Sequence, residues 1–404
     1  MTHTGLSPNE PFKEVAMSET DRRTELLSGV LEVTEDQVER GLELHRRFVV
    51  VDGSCESPEI WTEEMRRNAL SLIEGKGDYD SILAANHSSI LKHLENDPDY
   101  RKEYVGALRR TGVSSIAVTI DHPELWEVIA WWTYQFDHNA DIYTKYTDVD
   151  SIKKAKDEGK TVVLFYVQHE ADFIGRHLDR WDKLERIGVK LAHIAHNQRN
   201  FYGDGGEEPA DSGLSNMGVA AVAKLNELGI IIDTSHTGQQ TTLECAQRSS
   251  DPIASIHTAC RDLFDHRHNK HDYVLEAIAE GGGVVGIYTN FISENMVGTL
   301  TDWLDHVDHA VNVMGIDHVG VGTETHTTTG EPPEVPKFHN EWYQSPIHGV
   351  SPDDEFYEAA VRSMDPETSE RQRFRWDDWP NLTIMPRGCR QSSDPSNVSR
   401  PTES

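Results

Sequence analysis

The sequence predicts a single (β/α)8 barrel of TIM type. Three observations carry this: eight short apolar, β-branched runs, amphipathic stretches of helical spacing between them, and histidines or acids closing several of the runs. Strand-helix alternation implies parallel strands joined by right-handed crossovers. Eight such units suggest closure into a barrel. At 404 residues the chain could hold two or three domains by length alone, but a barrel with insertions also reaches this size.

The elements follow in order. Residues 1–20 are polar and read as a disordered N-terminus. Leu26–Arg47 carries helical spacing, with Leu31, Val38 and Leu42 among its apolar positions. Strands are expected at Phe48–Ser54, Ser114–Ile120, Thr161–Gln168, Lys190–His196, Ile230–His236, Pro252–Thr258, Gly282–Tyr288 and His318–Glu324. Helices are expected between them, among others at Leu178–Ile187, Met217–Leu228, Thr241–Ser249, Tyr273–Glu280 and Trp303–Met314. Residues 55–113 exceed what one crossover needs, so extra helices should lie over the rim there, with Trp61, Met65 and Leu91 placed to cover a site. The barrel domain is expected over 21–383. Residues 384–404, rich in Ser, Pro, Arg and Asn, read as a disordered tail.

Composition narrows the partners. Asp and Glu number 69 against 38 Lys and Arg, a formal charge of −31. Such a surface repels nucleic acid and anionic lipid. The excess is spread along the chain, which suits adaptation to high salt, where screening relieves self-repulsion. No stretch approaches the roughly 18 apolar residues of a membrane span, and Met1–Asp21 shows no signal-peptide core. The four cysteines, Cys55, Cys245, Cys260 and Cys389, form no C-x-x-C pair, so a reducing cytoplasm is the expected compartment.

In a parallel barrel the C-terminal strand ends converge on one rim, and chemistry belongs there. The first run ends near Glu56, the third at Gln168-His169-Glu170, and the fourth at His196-Asn197. The fifth ends at His236, the sixth at His257 with Thr258 after it, and the eighth at Glu324. Imidazole is the commonest metal ligand among side chains. His236 and His257 on neighbouring strands therefore suggest half of a site for one divalent ion with an open water position. Such an ion lowers the pKa of the water and polarises a carbonyl. Glu324 would accept the water's proton and pass it to the leaving amine. A lone histidine at a strand end is more often structural, so the pair carries the argument. Cys55 has no histidine near it in sequence and reads as a small buried thiol. His266-Arg267-His268-Asn269-Lys270-His271 fits no single metal geometry and reads as a polar loop facing substrate.

At these residues the chain resembles the membrane (renal) dipeptidase family, metallopeptidases of the amidohydrolase type. The resemblance runs from about Phe48 to Glu324. It is carried by Asn200-Phe-Tyr-Gly-Asp-Gly205, Asp211-Ser-Gly-Leu-Ser215, Asn226-Glu-Leu-Gly229, Asp233-Thr-Ser-His236, His257-Thr-Ala-Cys-Arg261, Asn269-Lys-His-Asp272 and Gly281-Gly-Gly-Val-Val-Gly286. It implies a TIM-like barrel, zinc at the rim, hydrolysis of dipeptides or related small amides, and often a homodimer. By position it implies that His236 and His257 are zinc ligands and that His196 contacts the scissile-bond region. Arg261 would receive the substrate carboxylate and Glu324 would stand for the catalytic aspartate. The chain departs from the pattern in three places. The His-x-Asp pair of the first strand is Ser54 and Glu56, the bridging glutamate is Gln168, and the aspartate has become Glu324. A neutral amide cannot bridge two dications as a carboxylate does. One ion, held by His236 and His257 with Glu56 or Gln168 assisting, is therefore expected. Two further readings stay open: a barrel retained as a binding module, and a hydrolase of another amide such as a lactam or N-acyl amino acid.

Overall fold

Eight parallel strands follow one another around a ring in sequence order: β1 (Val51–Asp52), β2 (Ser115–Thr119), β3 (Thr161–Val167), β4 (Val189–His193), β5 (Ile231–Asp233), β6 (Ala254–Thr258), β7 (Val284–Ile287) and β8 (Val319–Val321). This is a computed structural model, and it describes residues 34–55, 58–120, 125–168, 174–293, 299–324, 328–329, 331–332, 334–335 and 338. The expected terminal segments 1–20 and 384–404, and the start of the first helix, lie outside them. Each expected run overlaps one observed strand, and all but Lys190–His196, whose strand begins at Val189, contain it whole.

Hydrogen bonds at the rim bring β8 back to β1. Gly53 N–H donates to Val321 O at 3.1 Å and Glu324 N–H to Ser54 O at 2.8 Å. The buried Asp52 carboxylate takes Thr323 N–H at 2.9 Å and the Thr323 hydroxyl at 2.6 Å. Both connections act at the C-terminal ends of the strands, the edge that carries the site.

Helices pack outside the ring. The N-terminal one, Glu35–Arg47, starts at a Thr34–Gln37 capping box, which satisfies two backbone donors left open by the first turn. His45 of this helix is buried and donates Nε2–H to Thr111 O, tying the helix to the barrel wall. The described residues of the 55–113 interval include three helices, Glu63–Glu74, Tyr79–Asn96 and Pro98–Thr111. Trp61 and Met65 are buried in the main apolar cluster, and Leu91 packs against it. A short extra strand, Tyr143–Lys145, lies along the beginning of β3, and β4 pairs with β3 only from Phe165 onward, where the register shifts.

A second register shift matters more for function. Between β6 and β7 the ladder slips between Ser255 and Thr258. The Ile256 carbonyl turns toward two glycines. A Cβ on Gly286 or Gly322 would fall 2.0 or 1.6 Å from Ile256 O. Only glycine leaves room for a carbonyl there, and the slip sets where His257 leaves the strand. Among the described residues no helix is long and apolar enough to cross a membrane.

Candidate metal centre

The site is built around one buried carboxylate. β5 ends at Asp233, and the chain turns through Thr234 and Ser235 to His236. Asp233 Oδ1 accepts from the Ser235 hydroxyl at 2.7 Å, from Ser235 N–H at 3.3 Å and from Ile256 N–H at 2.9 Å. The Ser235 oxygen in turn accepts His257 N–H at 3.0 Å. A single carboxylate thus fixes both the turn that presents His236 and the slipped strand that presents His257. Its other oxygen faces His193 Nε2 at 2.7 Å and accepts from the Tyr166 hydroxyl. His193 Nδ1 lies 2.8 Å from Gln168 O, so both ring nitrogens face acceptors. Burial alone would raise the Asp233 carboxyl. The charge and hydrogen bond of His193 outweigh it, with help from His257 and Tyr166, and hold the group far below the usual carboxylate range.

His236 Nδ1 lies 2.7 Å from Asn197 Oδ1, which can only accept, so Nδ1 carries the proton. The lone pair is then on Nε2, and Nε2 faces Glu324 Oε1 at 3.3 Å. His257 Nε2 lies 3.7 Å from the same oxygen. His236, His257 and Glu324 each offer one ligand atom, all within 4.8 Å of one another. Burial pushes the His236 imidazole well below its usual pKa, and the neighbouring imidazoles His196, His268, His257 and His193 add to this. The ring is therefore held in its neutral, lone-pair-bearing form. A lone pair facing a carboxylate oxygen calls for a cation between them, and two imidazoles with one carboxylate are a common donor set for divalent ions. The hydrogen bond to Asn197 orients the ring as metal-bound imidazoles require. These residues fit a divalent metal.

Glu324 follows β8 with φ of +52°, the left-handed region that a non-glycine side chain enters at a cost. Its N–H bond to Ser54 O holds this turn, and Asn290 Nδ2 donates to Oε2 at 3.2 Å. Lys270, fully buried, donates Nζ to Thr237 O and braces the chain just after His236. Burial lowers its pKa to about 7.

The other expected residues take different places. His196 stacks on His236, ring centroids 4.2 Å apart and planes at 20°. Gln168 lies at the end of β3, where its side-chain oxygen accepts from the Thr119 hydroxyl at 2.7 Å. Arg261 donates Nε to Asp265 at 2.6 Å and lines an open polar cavity of about 340 Å³ with Gly206, Glu208, Asp211, Gln239 and Arg267. Glu56, His169 and Glu170 lie outside the described residues. His193 and Asn290 have no place in the sequence reading, while Asn197, Asp233 and His268 enter it only as members of a strand end, a motif and a polar loop, without a role in the site. The signal for Asp233 was present, three residues before His236 at the end of an apolar run. Asn290 gave none.

The family model described as membrane dipeptidase (peptidase family M19) matches residues 38–337. A dipeptidase of Aspergillus oryzae, aclJ, is 34% identical over 145 residues, 34% of each chain. A dipeptidase of Clonostachys rogersoniana, verJ, is 31% identical over 144 residues, 35% of this chain and 37% of its own. The chain thus spans little more than a third of the length of these curated relatives. Among solved structures, an amidohydrolase of Pseudomonas aeruginosa superposes with a TM-score of 0.60 at 22% identity, covering 85% of this chain and 90% of its own. The probable dipeptidase PvdM of the same organism gives 0.56 at 18%, covering 83% and 99%. These two likenesses establish the barrel fold.

Proposed function

The chain belongs to the membrane dipeptidases, peptidase family M19, and from that premise we propose that it is a metal-dependent hydrolase of dipeptides or related small amides. The observation that carries this reading is the convergence of His236, His257 and Glu324 at the barrel rim, one ligand atom from each within 4.8 Å. His236 and His257 would hold one divalent ion, zinc by the nitrogen-rich donor set. When bound, the ion supplies Lewis acidity, which lowers the pKa of a water in its open position and polarises the substrate carbonyl.

The chain's own residues do the rest. Glu324 takes the proton of the attacking water and returns it to the leaving amine. Asn290 on Oε2 keeps Oε1 aimed at the two imidazoles. His196, stacked on His236, presents its edge to the scissile bond. Arg261 sits in the open polar cavity and pairs with the substrate carboxylate through its planar fork. Gln168, whose side-chain oxygen accepts from Thr119, would assist the same ion without bridging a second. Glu56, at the end of the first expected run, would be a further ligand.

The test is amino-acid release from a panel of dipeptides, N-acyl amino acids and a lactam, with zinc-loaded and chelator-stripped protein, at low and high salt. Cleavage of a dipeptide that is lost on stripping and restored by zinc supports the proposal. Zinc-loaded protein that cleaves no member of the panel overturns it and leaves the barrel as a binding module.

A further inference from the structure

A second carboxylate stands beside the candidate metal centre. Glu207 lies on the loop after β4, and that loop is strapped to the site. Gly206 N–H donates to His236 O at 2.7 Å and Glu207 N–H to Asn197 O at 2.9 Å. A Cβ on Gly205 would fall 2.0 Å from His196 O, so the loop presses directly on the strand end. Glu207 Oε1 lies 3.5 Å from His268 Nε2, and the His268 ring packs on His236 with centroids 4.2 Å apart. The position of His268 is fixed: its carbonyl accepts from the Thr258 hydroxyl at 2.7 Å, at the end of β6. Phe291, itself at φ +48°, meets the His268 ring edge-on at 5.4 Å, and His266 stacks on Phe291 at 4.2 Å and 3°.

We propose that Glu207, steadied by His268, is the subsite that takes the cationic amino end of the substrate, so that this chain selects small amides carrying a free amine. The inference rests on the hydrolase reading above. Three features support it. The carboxylate is separated from His236 by the width of one imidazole, so it serves a group close to the scissile carbonyl. Its side chain is only 18% exposed, and burial raises its pKa, an effect that Arg267 offsets in part. A carboxylate that has lost much of its hydration gains more from an incoming ammonium than an exposed one does. Finally, its neighbours Gly206, Glu208 and Arg267 line the open polar cavity, which places Glu207 at the edge of a solvent-connected space.

The experiment compares alanyl-alanine with N-acetyl-alanyl-alanine, by kcat and KM and by calorimetric binding, on zinc-loaded wild type and E207Q. Wild type is expected to favour the free amine. In E207Q the KM and Kd for alanyl-alanine should rise about tenfold to a hundredfold, the range of a charged hydrogen bond. Those for the acetylated peptide should stay put, with zinc content unchanged. A discrimination ratio that E207Q leaves intact, or a wild type that binds both peptides equally, overturns the proposal. If wild type turns over neither peptide, the hydrolase reading fails on its own, and the binding ratio still decides the subsite. E207D, which withdraws the carboxylate by one methylene, reads the same ratio should E207Q fail to fold.

Discussion

Replacing Asp233 by Asn removes one charge and leaves the shape of the side chain unchanged. Three donors reach Oδ1, from Ser235 N, Ser235 Oγ and Ile256 N. The Asn oxygen therefore takes that place, and the amide nitrogen faces His193 and Tyr166. The Tyr166 hydroxyl can rotate to accept. His193 must then offer a lone pair at Nε2 while Nδ1 keeps its proton for Gln168 O. The variant loses a charge-assisted bond and an ion pair in a fully buried place, but keeps the bonds that shape the turn. Hydrogen bonds to charged groups contribute about 1.5–3 kcal/mol, and breaking a buried pair costs about 3–5 kcal/mol. Partial retention puts D233N near about 3 kcal/mol less stable at pH 7. The sign with pH follows from the depressed carboxyl. Because its folded pKa lies below the unfolded one near about 3.9, its contribution is complete above that value and is lost as pH falls through the folded pKa. Wild type and D233N should converge in acid. Zinc affinity should drop about tenfold to a hundredfold, as for other residues that orient ligands from behind. Urea unfolding at pH 7 and pH 3 and a competitive chelator titration measure both. A variant within about 1 kcal/mol of wild type at pH 7, with zinc affinity unchanged, would refute the claim that Asp233 organises the site.

Other substitutions separate structure from chemistry. G322A forces a methyl to 1.6 Å from Ile256 O, so the strands must part; a loss of about 3 kcal/mol and of zinc uptake is expected, read by melting and elemental analysis. Burial lowers the pKa of His45 to about 4, so the unfolded chain gains a proton on this residue below about 6.5 while the folded chain does not. Stability should fall by up to about 3 kcal/mol between pH 6.5 and 4, and H45Q should flatten that slope in denaturant titrations. E324Q should keep its fold and lower kcat/KM by about a hundredfold or more; activity within a few-fold of wild type would remove Glu324 from the reaction.

The barrel was legible because each strand is a short β-branched run set between segments of helical period, and both signals come from burial. The strand ends were less so. Phe48–Ser54 contracts to Val51–Asp52, since the Asp52 side chain intercepts Ser54 N–H, and Phe48 and Val49 lie exposed. Ile230–His236 likewise stops at Asp233, whose carboxylate takes the Ser235 N–H. The same side-chain competition that ends a strand builds the rim, so boundaries fail where function begins. Within the site, His236 and His257 stand out as histidines closing neighbouring runs. Asn197, Asn290 and Glu207 come from loops, where no period places a residue. The slip at Ile256 depends on glycines 30 and 66 residues downstream, which no local pattern connects. The left-handed turn at Glu324 was equally invisible, because a strand end in sequence says nothing of the bend that follows it.

The central claim is that His236 and His257 hold one divalent ion beside the Glu324 carboxylate, and zinc stoichiometry with X-ray absorption on the purified chain tests it most directly. The account predicts one zinc per chain, bound by two imidazole nitrogens with oxygen in the remaining positions, and almost none in the H236A/H257A double variant. A wild type that takes up no zinc, or a double variant that keeps its full complement, would contradict it.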